Sequence, residues 1–249
     1  MDTDPVYDRI GVGYSDRRRP DTRIAAYITS ALGDARTVLN IGAGAGSYEP
    51  TDRPVVALDP SRVMLKQRPG GAAPAVQGVA ETLPFPDDTF DAAMTILSLQ
   101  HWTDPERGLA EVRRVSRRQV LLTWDARLYA SNFWLMRDYL PEVAAWERTR
   151  ATFDDACALL PGCFAVAVPV PHDCIDGFGA AYWRRPEAYL DDDVRQSISG
   201  IALLEDGVAG RAMRRLRADL DSGEWHRRNS ELLDLEEFDV GYRLVIAEC

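Results

Sequence analysis

Basic charge is scarce, and one form of it is almost missing: Lys66 is the sole lysine among 29 lysine and arginine side chains, against 39 acidic ones. The formal net charge of -10 repels polyanions as a whole-molecule field, so nucleic acid and anionic membrane are poor partners. The arginine clusters at Arg17–Arg19, Arg113–Arg118 and Arg211–Arg217 sit among acidic neighbours or on helical patterns with an apolar face. They read as solvated helix faces, and the missing lysine reads as a codon bias toward arginine.

Sulfur and imidazole are equally sparse. The four cysteines, Cys157, Cys163, Cys174 and Cys249, form no C-x-x-C pair and have no histidine at metal-ligand spacing. That argues against a metal centre and for reduced thiols in a cytoplasmic protein. No apolar run reaches membrane-spanning length, and Met1–Ile10, with Asp2, Asp4 and Asp8, has no apolar h-region. A soluble, intracellular protein is expected.

What is present is a chain of 249 residues, 46% apolar, enough for one large core in a single domain covering 1–249. No internal repeat is visible. From Asp21 to Asp125, apolar helical stretches alternate with short apolar strands, the pattern of a parallel sheet covered by helices. The pattern predicts a helix over Thr22–Leu32, strands at Thr37–Ile41 and Val55–Leu58, a helix from Ser61 and a weak strand at Ala75–Gln77. It continues with a strand at Phe90–Leu97, a helix at Asp104–Val115 with Asp104 as cap and Pro105 in first position, and a strand at Gln119–Trp124.

Beyond Asp125 the texture becomes aromatic, with helical segments expected at Asn132–Arg150 and Ala180–Leu190 and strands at Phe164–Val170 and Tyr242–Ala247. The fold class is therefore α/β: a Rossmann-like, doubly wound, mostly parallel seven-stranded sheet with helices on both faces. Residues 21–125 form a cofactor-binding core. Residues 126–160 and 171–238 form a helical substrate lid on the strand-end side, where open parallel sheets bind ligands.

The strongest local signal is Val38–Ser47, a strand running into Gly42-Ala43-Gly44-Ala45-Gly46, where small residues let a ligand approach the backbone. A dinucleotide fingerprint needs G-x-G-x-x-G, and here the third glycine arrives one residue early while Ser47 takes the required place. A diphosphate also wants a helix N-terminus, whereas S-adenosylmethionine carries no phosphate and needs only an open turn. Asp59, after Val55–Leu58, can accept hydrogen bonds from ribose hydroxyls in either kind of ligand.

Four blocks carry a family resemblance: Val38–Ser47, Val56–Ser61, Gly78–Asp91 (GVAETLPFPDDTFD) and Ser98–Pro105 (SLQHWTDP). Over about Tyr7–Trp124 the chain resembles the class I methyltransferases, within the type 11 group related to the ubiquinone and menaquinone C-methyltransferases. The resemblance implies S-adenosyl-L-methionine as methyl donor and S-adenosyl-L-homocysteine as product. It implies cofactor contacts at Asn40, Gly42, Ala43, Gly44, Asp59, Pro60, Ala80, Glu81 and Ser98, with Ala80, Glu81 and Leu83 shaping the adenine pocket. Tyr14, in the block Tyr7–Tyr14, would join them from a segment that folds over the cofactor. One departure stands out: the family usually ends its first strand with an acid, and this chain has Asn40, which keeps a hydrogen bond and loses the charge.

Methyl transfer is an in-line displacement at an activated carbon, so positioning dominates, but a hydroxyl or acidic-carbon acceptor also needs a base. His101, after the fourth strand, is the candidate catalytic base, and a bland role as a hydrogen-bonding residue before Asp104 weighs equally. Trp102, His172, Tyr182 and Trp183 are the candidate substrate-binding residues. His172 with Asp173 could equally form a loop hydrogen bond. Phe133, Trp134, Tyr139 and Phe178 complete an aromatic set that serves either as pocket wall or as core, and the expectation is that not all six are core. Arg19, Arg184 and Arg185 could fork onto an acidic acceptor.

The leading expectation is an enzyme that methylates O, N or C of a small molecule, with no metal. Its alternative is a non-catalytic or regulatory S-adenosylmethionine-binding protein of the same fold, and a nicotinamide oxidoreductase is opposed by Ser47 and the Glu81–Asp91 block.

Overall fold

A computed structural model describes residues 18–205 and 207–248. Tyr14 and the rest of the N-terminal block lie outside the described residues.

Helix α1 (Thr22–Leu32) turns Ile24, Ile28, Ala31 and Leu32 into the core, and the Asp21 carboxylate caps it by accepting from the Arg23 amide. Strands β1 (Val38–Ile41) and β2 (Val55–Asp59) follow as nearly continuous buried runs, as expected of a sheet covered on both faces. Ser61 caps the short helix α2 (Arg62–Lys66) before β3 (Ala75–Gln77). After β4 (Phe90–Ile96), helix α3 (Pro105–Val115) starts with the Asp104 carboxylate accepting from the Arg107 amide and Pro105 in its first turn. Strand β5 (Ser116–Trp124) completes the parallel half.

Helices α4 (Ala126–Asn132), α5 (Pro141–Glu147) and α6 (Phe153–Leu159) precede β6 (Phe164–Ala167) and β7 (Val170–Pro171). Short helices α7 (Asp192–Gln196) and α8 (Ser199–Ala202) lead to the longer α9 (Val208–Asp221) and to α10 (Glu224–Arg228). Strands β8 (Glu237–Phe238) and β9 (Tyr242–Glu248) end the described chain.

The main sheet has seven strands in the order β3-β2-β1-β4-β5-β9-β6, with β9 antiparallel to both neighbours. The chain leaves β1 toward β2 on one side and reaches β4 on the other, so the crevice beyond the ends of β1 and β4 is the switch point. This is the predicted α/β class.

Three local expectations are corrected. The strand expected at Phe164–Val170 breaks after Ala167, and Val170–Pro171 pairs instead with Glu237–Phe238 as a separate ribbon. Pro169 and Pro171 have no N–H to give the ladder, which ends the pairing with β9. The helix expected over Asn132–Arg150 is interrupted by a π-helical turn at Leu135–Tyr139, with Pro141 restarting α5. Ala180–Leu190 holds turns and a 3-10 turn at Pro186–Leu190 rather than a helix, because Pro186 removes an interior donor.

The helical layer over residues 126–238 does not float above the sheet. Its fully buried Trp134, Trp183, Tyr189 and Trp225 share one apolar cluster with Ile28, Val38, Val120 and Leu244. Trp134 meets Trp225 edge-on at 5.1 Å and Tyr189 at 5.6 Å between ring centres. No helix among the described residues is long and apolar enough to cross a membrane.

Candidate active site

The turn after β1 is held down by the neighbouring strand. The amides of Gly42 and Ala43 both donate to the Leu58 carbonyl, at 2.8 and 3.0 Å, and the Gly44 amide donates to Asp59 Oδ2 at 2.8 Å. The other carboxylate oxygen of Asp59 accepts from the Ser61 amide at 2.8 Å, so the acid at the end of β2 is fixed by the chain on both sides. Gly42 has φ of 68°, and a β-carbon there would sit 1.8 Å from Ser98 Oγ. Only glycine fits both demands. Gly42, Ala43, Gly44, Asp59 and Ser98 are thereby gathered at the switch point.

Asn40 is buried at the end of β1. Its Nδ2 donates to Glu49 Oε1 at 3.0 Å, and Glu49 is paired in turn with Arg68 at 2.7 Å. The amide is thus oriented by an acid that sequence reasoning did not single out. Asn40 Oδ1 is left as a buried acceptor with no partner among the described residues, a costly state that a ligand ammonium would relieve. An open glycine turn, an orphaned acceptor on β1 and a carboxylate on β2 fit the amino, methionine and ribose parts of S-adenosylmethionine.

Pro60 follows Asp59 and accepts from Gln77 Nε2 at 3.0 Å. Ala80 is buried beside Trp102, whose indole packs on Gly108 of α3 and donates to Ser98 Oγ at 3.3 Å. Trp102, expected on the acceptor side, stands instead among the residues expected to hold the cofactor. Glu81 spends one oxygen on the Thr103 amide and hydroxyl and the Asp104 amide, at 2.7, 2.9 and 3.1 Å. It braces the loop into α3.

A partly open cavity lies next to the loop after β4 that carries Ser98. Its walls carry Leu97 and Gln100 from the loop after β4, Trp124 from the end of β5, Tyr242 from the start of β9, Tyr129 of α4 and Phe178 from the segment after β7. Leu97 holds φ of 51°, a strained conformation for a leucine that its amide's bond to the Leu122 carbonyl at 2.8 Å helps to maintain. Glu147, at the end of α5, also lines the cavity. Three buried polar atoms without a partner among the described residues, Gln100 Oε1, Trp124 Nε1 and Glu147 Oε2, belong to cavity-lining side chains.

His101 sits in the 3-10 turn Leu99–His101 with Nδ1 facing Arg150 Nη2 at 3.0 Å. Burial first, and then the guanidinium, lower its pKa to about 3. The ring is neutral near pH 7 and a poor proton acceptor, because its conjugate acid is too strong. Burial raises the Glu147 carboxyl to about 7, and Arg150 opposes that rise only in part.

The other acceptor-side candidates do not meet at the cavity. Trp183 is fully buried and donates to the Val170 carbonyl at 2.9 Å, a core role. Tyr182 packs edge-on against Tyr189 and under the Arg185 guanidinium. His172 lies on the β7–β8 ribbon against the Glu236 carbonyl. Of the aromatic set, Phe133, Trp134, Tyr139, Phe178 and Trp183 are all buried, and Phe178 alone of the six also lines the cavity. Arg184 donates to the Leu235 carbonyl and Arg185 to those of Cys174 and Ala181, so neither is presented to an acid. Glu147, Gln100 and Trp124 were missed. The signal for Glu147 was helical period, since it lies three and four residues after the buried Ala144 and Val143 and so falls on the inward face.

A doubly wound sheet with a glycine turn after its first strand and a fixed carboxylate after its second defines a Rossmann-like protein that holds a nucleoside-bearing cofactor. The chain belongs to the class I S-adenosylmethionine-dependent methyltransferases, type 11 group. A family described as a methyltransferase domain matches residues 39–123. The crystal structure of an Anabaena variabilis methyltransferase ascribed to an antibiotic biosynthesis pathway is 35% identical, covering 94% of this chain and 99% of that one at a TM-score of 0.86. An uncharacterized methyltransferase of Mycobacterium tuberculosis is 36% identical over 127 residues, 47% of this chain and 51% of its own. A demethylmenaquinone methyltransferase of Renibacterium salmoninarum is 33% identical over 120 residues, 46% of this chain and 49% of its own. The chain spans about half the length of the curated relatives it matches.

Proposed function

We propose that this protein transfers the methyl group of S-adenosylmethionine to a small, largely apolar, ring-bearing organic acceptor bound in the cavity lined by Leu97, Gln100, Trp124, Tyr129, Phe178 and Tyr242. The observation that carries this reading is that one short segment serves both places. Ser98 presses on Gly42 in the cofactor turn, while its neighbours Leu97 and Gln100 line the cavity. A donor on the turn and an acceptor in the cavity would therefore meet across residues 97–100, and holding two reactants in contact geometry is most of what a displacement needs.

Asn40, Gly42, Ala43, Gly44, Asp59 and Ser98 would hold the cofactor, which supplies an electrophilic methyl on a sulfonium. Ala80 and Trp102 would border its base. Tyr129, Phe178 and Tyr242 would face an acceptor ring, with residues 126–160 and 171–238 as the acceptor-binding segments. His101, as a neutral imidazole held by Arg150, suits an orienting role better than proton removal. A net charge of -10 and the apolar aromatic walls favour a small molecule over nucleic acid.

The test is incubation with methyl-labelled S-adenosylmethionine and a metabolite extract of the source organism, with the label followed by mass spectrometry. Label in one small compound establishes the enzyme and names its acceptor. Tight S-adenosylhomocysteine binding without transfer would favour the non-catalytic reading.

A further inference from the structure

Among the described residues Glu147 is the one carboxyl on the cavity wall, at the end of α5, with Oε2 buried and without a partner among them. Its other oxygen lies 2.9 Å from where a β-carbon on Gly200 would sit, so α8 closes over the carboxyl and a glycine is what leaves it room. An unpaired carboxylate so placed is costly to bury, so burial favours the protonated form and leaves the group ready to exchange a proton with whatever enters the cavity.

Resting on the methyl-transfer reading, we infer that Glu147 is the base that takes the proton from a hydroxyl on the acceptor ring, which makes the acceptor a phenol or similar hydroxylated ring and the product a methyl ether. The acceptor O–H bond breaks with its proton passing to a Glu147 carboxylate oxygen. The freed electron pair on the acceptor oxygen forms the bond to the methyl carbon, and the carbon–sulfur bond breaks with its pair remaining on sulfur. The proton leaves Glu147 for water as product departs.

The cavity suits that acceptor. Trp124, Tyr129, Phe178 and Tyr242 provide ring-sized walls, and Trp124 Nε1 and Gln100 Oε1 offer one unused donor and one unused acceptor for further polar groups on the ring. Arg150, three residues beyond Glu147, draws that carboxyl toward ionisation while also engaging His101, and Arg18 of the same cavity is paired with Asp176 at 2.6 Å. The Tyr129 and Tyr242 hydroxyls are held neutral by burial. Burial holds the Glu147 carboxyl at about 7, near the value that suits a base working at neutral pH.

The experiment compares the full-length protein with Glu147→Gln and Glu147→Asp, presenting a panel of phenols, amines and carbon acids with S-adenosylmethionine. S-adenosylhomocysteine binding is measured by calorimetry in parallel. Expected for the native protein is transfer to phenols, with kcat rising through about pH 7 to a plateau. Glu147→Gln should lose about 100-fold or more in kcat and lose the pH limb, with unchanged S-adenosylhomocysteine binding. Glu147→Asp, which keeps the carboxyl, should recover part of the rate. Independently of turnover, the infrared band of a protonated carboxyl in the cofactor-free protein should titrate near neutrality and vanish in Glu147→Gln. Native-like kcat and pH profile in Glu147→Gln overturn the base and leave methyl transfer standing. Transfer to amines or carbon acids alone overturns it likewise, and no transfer at all despite S-adenosylhomocysteine binding overturns both readings.

Discussion

Ser98 Oγ occupies the space that a β-carbon on Gly42 would need, 1.8 Å away, so the glycine turn after β1 and the loop after β4 are fitted to each other at one glycine. Gly42→Ala should therefore cost about 2–4 kcal/mol, combining a left-handed alanine with overpacking against Ser98. It should also weaken S-adenosylhomocysteine binding. Urea denaturation and calorimetry check both effects, and Gly42→Ala with Ser98→Gly should recover the part due to the clash.

Asn40 and Glu49 lie close enough that Asn40→Asp places two carboxylates where an amide now donates at 3.0 Å. Like charges at that separation resist joint ionisation. The variant should lose about 1–3 kcal/mol at pH 8 and regain much of it at pH 5, where the pair can share a proton. Equal losses at both pH values would show that the amide's loss, and not the added charge, sets the effect.

Asp176 is fully buried and gathers the Arg18 guanidinium, the Tyr48 hydroxyl at 2.8 Å and the Gly177 amide at 2.7 Å. This cluster ties the segment before Phe178 to the loop after β1. Asp176→Asn leaves Arg18 without this carboxylate in a buried place, at an expected cost of about 3–5 kcal/mol. A thermal midpoint unchanged within error would rule that out.

Two buried groups give stability opposite slopes with pH. The folded protein resists protonating His101 down to about pH 3, whereas an unfolded histidine takes its proton near 6.5, so stability falls as pH drops below 6.5. Glu147 keeps its proton up to about pH 7 when folded and releases it near 4.5 when unfolded, so stability falls as pH rises from 4.5 to 7. Glu147→Gln should gain stability relative to the native protein between pH 5 and 8, and His101→Asn should gain between pH 6.5 and 4. Urea midpoints across pH 4 to 8 test this, and profiles parallel to the native one would refute both assignments.

What the sequence by itself determined is the part governed by local rules. Strand and helix alternation from Thr22 to Trp124, the Asp104–Pro105 start of α3 and the glycine turn at residues 42–46 depend on near neighbours and on period, and each is found where the pattern puts it. The grouping of Asn40 to Gly44 with Asp59, proposed above to hold the cofactor, follows from the same local rules, since these residues sit at strand ends in consecutive elements. Tertiary structure alone decided which residues line the cavity proposed for the acceptor. Trp183 and Tyr182 look like pocket residues in sequence, yet the former is sealed in the core and neither lines the cavity. Glu147, Gln100, Trp124 and Tyr242 come from distant elements that share nothing along the chain. A cavity is the space left after non-local packing, and whether an aromatic ring fills a core or faces that space depends on what lies opposite it, which no local pattern records.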